Sequence, residues 1–83
     1  MFLHVTEATY LGRYRLNLAF SDGSSGSVDL ECELVGDVFL PLRELSAFEA
    51  FELRGNTLAW SNGADFAPEF LRELMLERAG NLS

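Results

Sequence analysis

Residues 58–70 read LAWSNGADFAPEF: a tryptophan, an Asn-Gly pair, an aspartate and a proline, running directly into a helical pattern. The fold turns on whether this stretch is a reactive loop or the joint between a strand and a helix. Each unusual residue has a structural use. Trp60 ends an apolar strand segment, and Asn62 with Gly63 supplies a turn, since both residues tolerate positive φ. Asp65 is expected to cap the next helix, its carboxylate accepting backbone N–H groups at the positive end of the helix dipole. Pro68 suits the first helical turn, where a missing N–H has no intrahelical partner to lose. The stretch therefore reads as a strand-to-helix joint.

Working outward, Phe66, Phe70, Leu71, Leu74 and Met75 make one apolar stripe over residues 66–79, with Arg72, Glu73, Glu77 and Arg78 toward water. Gly80 and Asn81 are a usual helix stop. On the other side, FELRGNTLAW at residues 51–60 is two short apolar pieces around Gly55 and Asn56, a hairpin. Pro41, Leu42, Leu45, Phe48 and Ala50 or Phe51 fit a short helix with proline in its first turn. RYRLNLAF at residues 13–20 is the clearest strand, with Tyr14, Leu16, Leu18 and Phe20 on one face. SDGSSG is a turn, and residues 27–33 alternate again, setting Val28, Leu30 and Cys32 against Asp29, Glu31 and Glu33. Residues 2–11 are a first strand candidate, broken or bulged near Glu7 and Ala8. The expected fold is α+β: a small antiparallel sheet, made of a three-stranded meander plus a hairpin, with one short helix and one C-terminal helix. Residues 1–83 are expected to form one domain.

Composition narrows the function classes. Seven Phe, two Tyr and one Trp in 83 residues can fill most of a small core, and aromatics left over would lie on an interface, so a homodimer is expected. Thirteen acidic residues against six basic ones, all Arg, give a net charge of −7. That balance repels phosphate backbones and anionic membranes, so the isolated domain is expected to bind neither. Cys32 is a single cysteine, which fits a reducing compartment. MFLHVTEATY has no basic start and no long apolar run, so no signal peptide is expected, and the protein reads as cytoplasmic.

The blocks LAFSDG at 18–23, VDL at 28–30, FLPL at 39–42, Phe48 and WSNGADFAPEFL at 60–71 resemble a small bacterial family, domain of unknown function 2442. Ser61 departs from the proline often found after that tryptophan. The resemblance covers nearly the whole chain and implies an α+β fold with a small antiparallel sheet and a C-terminal helix. Some members of the family carry a fused helix-turn-helix domain, and some are encoded beside another small protein in a toxin–antitoxin-like arrangement, but the family has no established activity to carry over. This chain, ending at Ser83, is expected to need a separate partner for any regulatory role.

Catalysis needs paired groups of tunable pKa. His4, among apolar strand residues, reads as structural, and Cys32 reads as a packed thiol on the face of Val28 and Leu30. A His4–Cys32 dyad would need their strands to meet. The acids Asp22, Asp29, Glu31, Glu33 and Asp37 lack calcium-loop spacing, and no Cys or His pair suggests zinc. No catalytic residue, metal site or cofactor is expected. The leading expectation is a non-catalytic protein-interaction module, regulatory or antitoxin-like, that meets a basic partner through two acidic rows: Glu31 with Glu33 on a strand, and Glu69, Glu73 and Glu77 on the last helix. The alternative is a small-ligand-binding or enzymatic domain with a carboxylate-lined pocket at a dimer interface.

Overall fold

A computed structural model describes residues 3–80. The expected strand start at Phe2 and helix stop at Asn81 lie outside the described residues, as does the side chain of Arg78. Strands β1 (Val5–Gly12), β2 (Arg15–Phe20) and β3 (Ser25–Asp29) form an antiparallel sheet in the order β1-β2-β3. Alternation decides β2, whose Leu16, Leu18 and Phe20 are buried while Arg15 and Asn17 face water. The β1–β2 register slips between Val5 and Glu7, beside the bulge expected at Glu7 and Ala8, and again between Tyr10 and Gly12. Arg13, expected to open the second strand, is instead in the turn. The two loop residues are Arg13 and Tyr14, and positive φ at Arg13, and at Gly12 just before it, lets the chain reverse.

The third strand is shorter than its alternating pattern. It ends at Asp29, whose Oδ1 accepts the Glu31 N–H at 3.0 Å, a local bond that competes with ladder pairing. Leu30 turns inward, its N–H bonded to the Tyr14 carbonyl at 2.9 Å, and residues Glu31–Glu33 form a 3₁₀ turn. The short helix expected over 41–51 is also broken. A 3₁₀ turn spans Leu40–Arg43 and a single turn, α1, spans Leu45–Phe48. Glu44 between them is extended, at φ −71° and ψ 119°, so the two turns cannot fuse.

Strands β4 (Glu52–Arg54) and β5 (Thr57–Ala59) form the second sheet, closed by Gly55 and Asn56 with φ of 60° and 68°. The last helix, α2 (Pro68–Gly80), begins two residues later than the apolar stripe begins. Pairing on the strand side causes the delay: Asp65 bridges Ala59, and the Phe66 N–H is bonded to the Leu58 carbonyl at 3.2 Å. The result is an α+β fold. Its core joins Leu16, Leu18, Val28 and Leu30 of the meander to Phe48, Leu58, Trp60, Phe66, Leu71 and Met75. Aromatic rings run through it, with Phe48 5.4 Å from Tyr14 and 5.6 Å from Trp60, and Phe66 5.9 Å from Trp60.

Candidate functional site

The joint at residues 57–68 is the most densely bonded stretch. Trp60, 2% exposed, donates its indole N–H to the Phe48 carbonyl at 2.8 Å, which anchors the end of α1. The Trp60 and Ala64 backbones are bonded at 2.9 Å, and Gly63, at φ 95°, returns its N–H to the Trp60 carbonyl at 3.1 Å. Asn62 uses both ends of its amide. Its Oδ1 accepts the Ala64 N–H at 3.0 Å, while its Nδ2 donates to the Val38 carbonyl at 2.9 Å. Thr57, buried, gives its hydroxyl to the Phe66 carbonyl. Pro68 is the first residue of α2, where no intrahelical bond is lost.

Asp65 requires a correction. The residue before the helix is Ala67, whose carbonyl accepts the Leu71 N–H at 3.1 Å. Asp65 lies two positions earlier, exposed and held in the bridge to Ala59, and among the described residues no hydrogen bond reaches its carboxylate. It is not the cap, because its backbone belongs to the strand side of the joint.

The acidic rows divide in the same way. Glu31 and Glu33 do not share a strand face, since a 3₁₀ turn rotates successive residues by about 120° and separates them. Glu31 instead lies 3.9 Å from Arg13, an exposed pair of small energetic weight. Cys32, in the same turn, is exposed rather than packed beside Val28 and Leu30. His4 is bonded through its backbone to Ser21, beyond the C-terminal end of β2, whereas Cys32 follows Leu30, which pairs with Tyr14 at the other end. About 17 Å of strand separates those ends, so the two residues form no dyad. Glu69, Glu73 and Glu77 do form a row. All three are exposed on α2, whose inner side buries Leu71 and Met75. Leu76, 47% exposed, lies among them, and an open hollow is lined by Glu73, Leu76 and Glu77.

One further feature was not expected. A cleft of about 150 Å³ opens between the 3₁₀ turn (Pro41, Leu42), α1 with its exit (Ala47, Ala50) and the joint (Trp60, Ser61, Asn62). The pattern read Pro41 as a helix start, offered Ala50 or Phe51 as an apolar position of that helix, and gave neither Ala47 nor Ala50 a place in a cleft. Their smallness beside a tryptophan was the only available signal, and the cleft needs the two segments to meet. Across the molecule, Asp22 has its pKa lowered. The Ser24 hydroxyl, at 2.6 Å, contributes most, followed by the Ser24 backbone N–H and Arg72, whose Nε lies 2.7 Å from the carboxylate.

The meander, the hairpin with its buried strand β5 and the bonded joint define a small α+β domain built around one strand-to-helix connection. The family model for a protein of unknown function, DUF2442, matches residues 5–75, and the chain belongs to that family. No curated protein and no solved structure matches it. No helix among the described residues is long and apolar enough to cross a membrane.

Proposed function

We propose that this chain is a non-catalytic protein-interaction module, the regulatory or antitoxin-like half of a two-protein system, with a basic protein as its partner. The outer face of α2 carries this reading. It presents Glu69, Glu73 and Glu77 at four-residue spacing around the exposed Leu76, an apolar centre with a charged rim. Like charges at that spacing cost a few tenths of a kcal/mol per pair. Among the described residues no cation pairs with these glutamates, and Arg72 on the same helix is engaged with Asp22. A cationic partner would relieve the repulsion and be steered in by it. In this reading the module works in the cytoplasm as a homodimer and by itself binds neither nucleic acid nor membrane.

The test is association with the partner recovered by pull-down from the native cell. Reversing Glu73→Arg together with Glu77→Arg should slow association about tenfold or more at low salt, as expected for lost steering. The unfolding free energy should stay within about 0.5 kcal/mol of wild type. Association at the wild-type rate would reduce the row to a solvated surface. The hollow beside Leu76 favours the second reading, a small-ligand-binding or enzymatic domain whose carboxylate-lined pocket is closed by a second copy. A small molecule retained in native mass spectrometry would favour it over the first.

A further inference from the structure

We propose that the cleft between Pro41, Ala50 and Trp60 seats one apolar side chain from a basic segment of a partner protein; this rests on reading the chain as an interaction module. The walls determine the kind of group. Pro41, Leu42, Ala47 and Ala50 contribute only carbon in their side chains, the polar atoms of Trp60 and Asn62 already hold backbone partners at 2.8 to 3.0 Å, and the Ser61 hydroxyl is the one other polar side-chain group in the wall. A charged or amide side chain entering there would lose its water and find few bonds in return. The volume, about 150 Å³, is the size that a benzene-like or branched aliphatic group fills. A side chain of that size, seated in a rigid pocket with water excluded, is how binding energy becomes concentrated in a few interface residues.

Charge selects the chain that brings it. The segments building the cleft, residues 36–50 and 60–65, carry Asp37, Glu44, Glu49 and Asp65, all exposed. Their one cation, Arg43, is tied down by its Nε bond to the Leu34 carbonyl at 2.9 Å. The segments around the anchor are thus net acidic, and cationic neighbours are favoured. A second copy of this chain, itself of net charge −7, would approach these carboxylates against like charge, which counts against self-association here.

The probe is a capped peptide, Lys-Lys-Leu-Lys-Lys, titrated into the 83-residue chain labelled with ¹⁵N. Its controls are Lys-Lys-Gly-Lys-Lys and Glu-Glu-Leu-Glu-Glu. The leucine peptide should shift the Trp60 indole and the Ala47, Ala50 and Asn62 signals saturably. The glycine peptide should leave them unmoved, and the acidic peptide should bind at least fivefold more weakly. Ala50→Phe, which fills the cleft from an exposed position, should abolish the shifts while the spectrum stays dispersed. No shift at these residues with the leucine peptide on wild-type protein overturns the proposal, whatever Ala50→Phe does. Equal binding of the acidic peptide overturns its charge selectivity. Shifts confined to Glu73 and Glu77 with both basic peptides would overturn the cleft and leave the acidic helix face standing. Shifts at the cleft on raising protein concentration without peptide would assign it to a second copy instead.

Discussion

Asn62 ties three segments together with one side chain. Its oxygen closes the turn at Ala64, and its nitrogen reaches across 24 residues to the Val38 carbonyl. Asn62→Ala should therefore cost about 1–3 kcal/mol, the sum of two ordinary hydrogen bonds. Asn62→Asp keeps the acceptor and loses the donor, so it should cost about half as much. Asp65→Ala should stay within about 0.5 kcal/mol, as an exposed residue outside the cap position does. Urea midpoints decide, and an Asp65→Ala loss larger than that of Asn62→Ala would restore the cap. The turn at Asn62 and Gly63 could be read from sequence because its chemistry acts over two residues. The role of Asp65 could not, because a bridge to Ala59 determines where the helix begins.

At the scale of elements, α2 lies against β3 at Gly26. A Cβ built there would stand 2.9 Å from Met75 Cγ and 3.0 Å from its Sδ, closer than side-chain carbons normally come. Gly26 is needed for this close approach and not for a positive φ. Gly26→Ala should cost about 1–3 kcal/mol by overpacking. In a Met75→Ala background the same change should cost clearly less, because the atoms it meets are gone. A double-mutant cycle with additive losses would show that helix and strand are not in contact there. The apolar stripe in α2 predicts a helix with one buried side, yet it does not say which strand covers it. Likewise the alternation through residue 33 predicts a strand, but Asp29 ends it by bonding its own chain.

The whole molecule exposes 5094 Å², close to the value of about 4,900 Å² expected of a compact monomer of its mass. The homodimer proposed above must therefore use surface that a monomer could leave wet, such as Leu76, and must overcome like charge. Its association should strengthen with salt, since the Debye length falls from about 30 Å at 0.01 M to about 3 Å at 1 M and screens the repulsion. Sedimentation velocity across salt and protein concentration checks this. A monomer's mass under every condition would remove the homodimer and, with it, a ligand pocket closed by a second copy.

The sequence by itself determined what depends on near neighbours and on composition. These are the hairpin turn at Gly55 and Asn56, the Asn62–Gly63 turn, the inward face of β2, the placing of Pro68 in the first turn of the last helix, and the acid excess. Only the tertiary structure decided what depends on residues far apart in the chain. It turned Leu30 inward against the Tyr14 carbonyl, put Cys32 in water, separated His4 from Cys32 by the length of a strand, moved the helix start past Asp65, and brought Pro41 and Ala50 against Trp60 to make a cleft. The physical reason is range. Backbone preference and side-chain alternation act within a few residues, whereas a cleft or a helix boundary is decided by which distant backbone groups take the available hydrogen bonds.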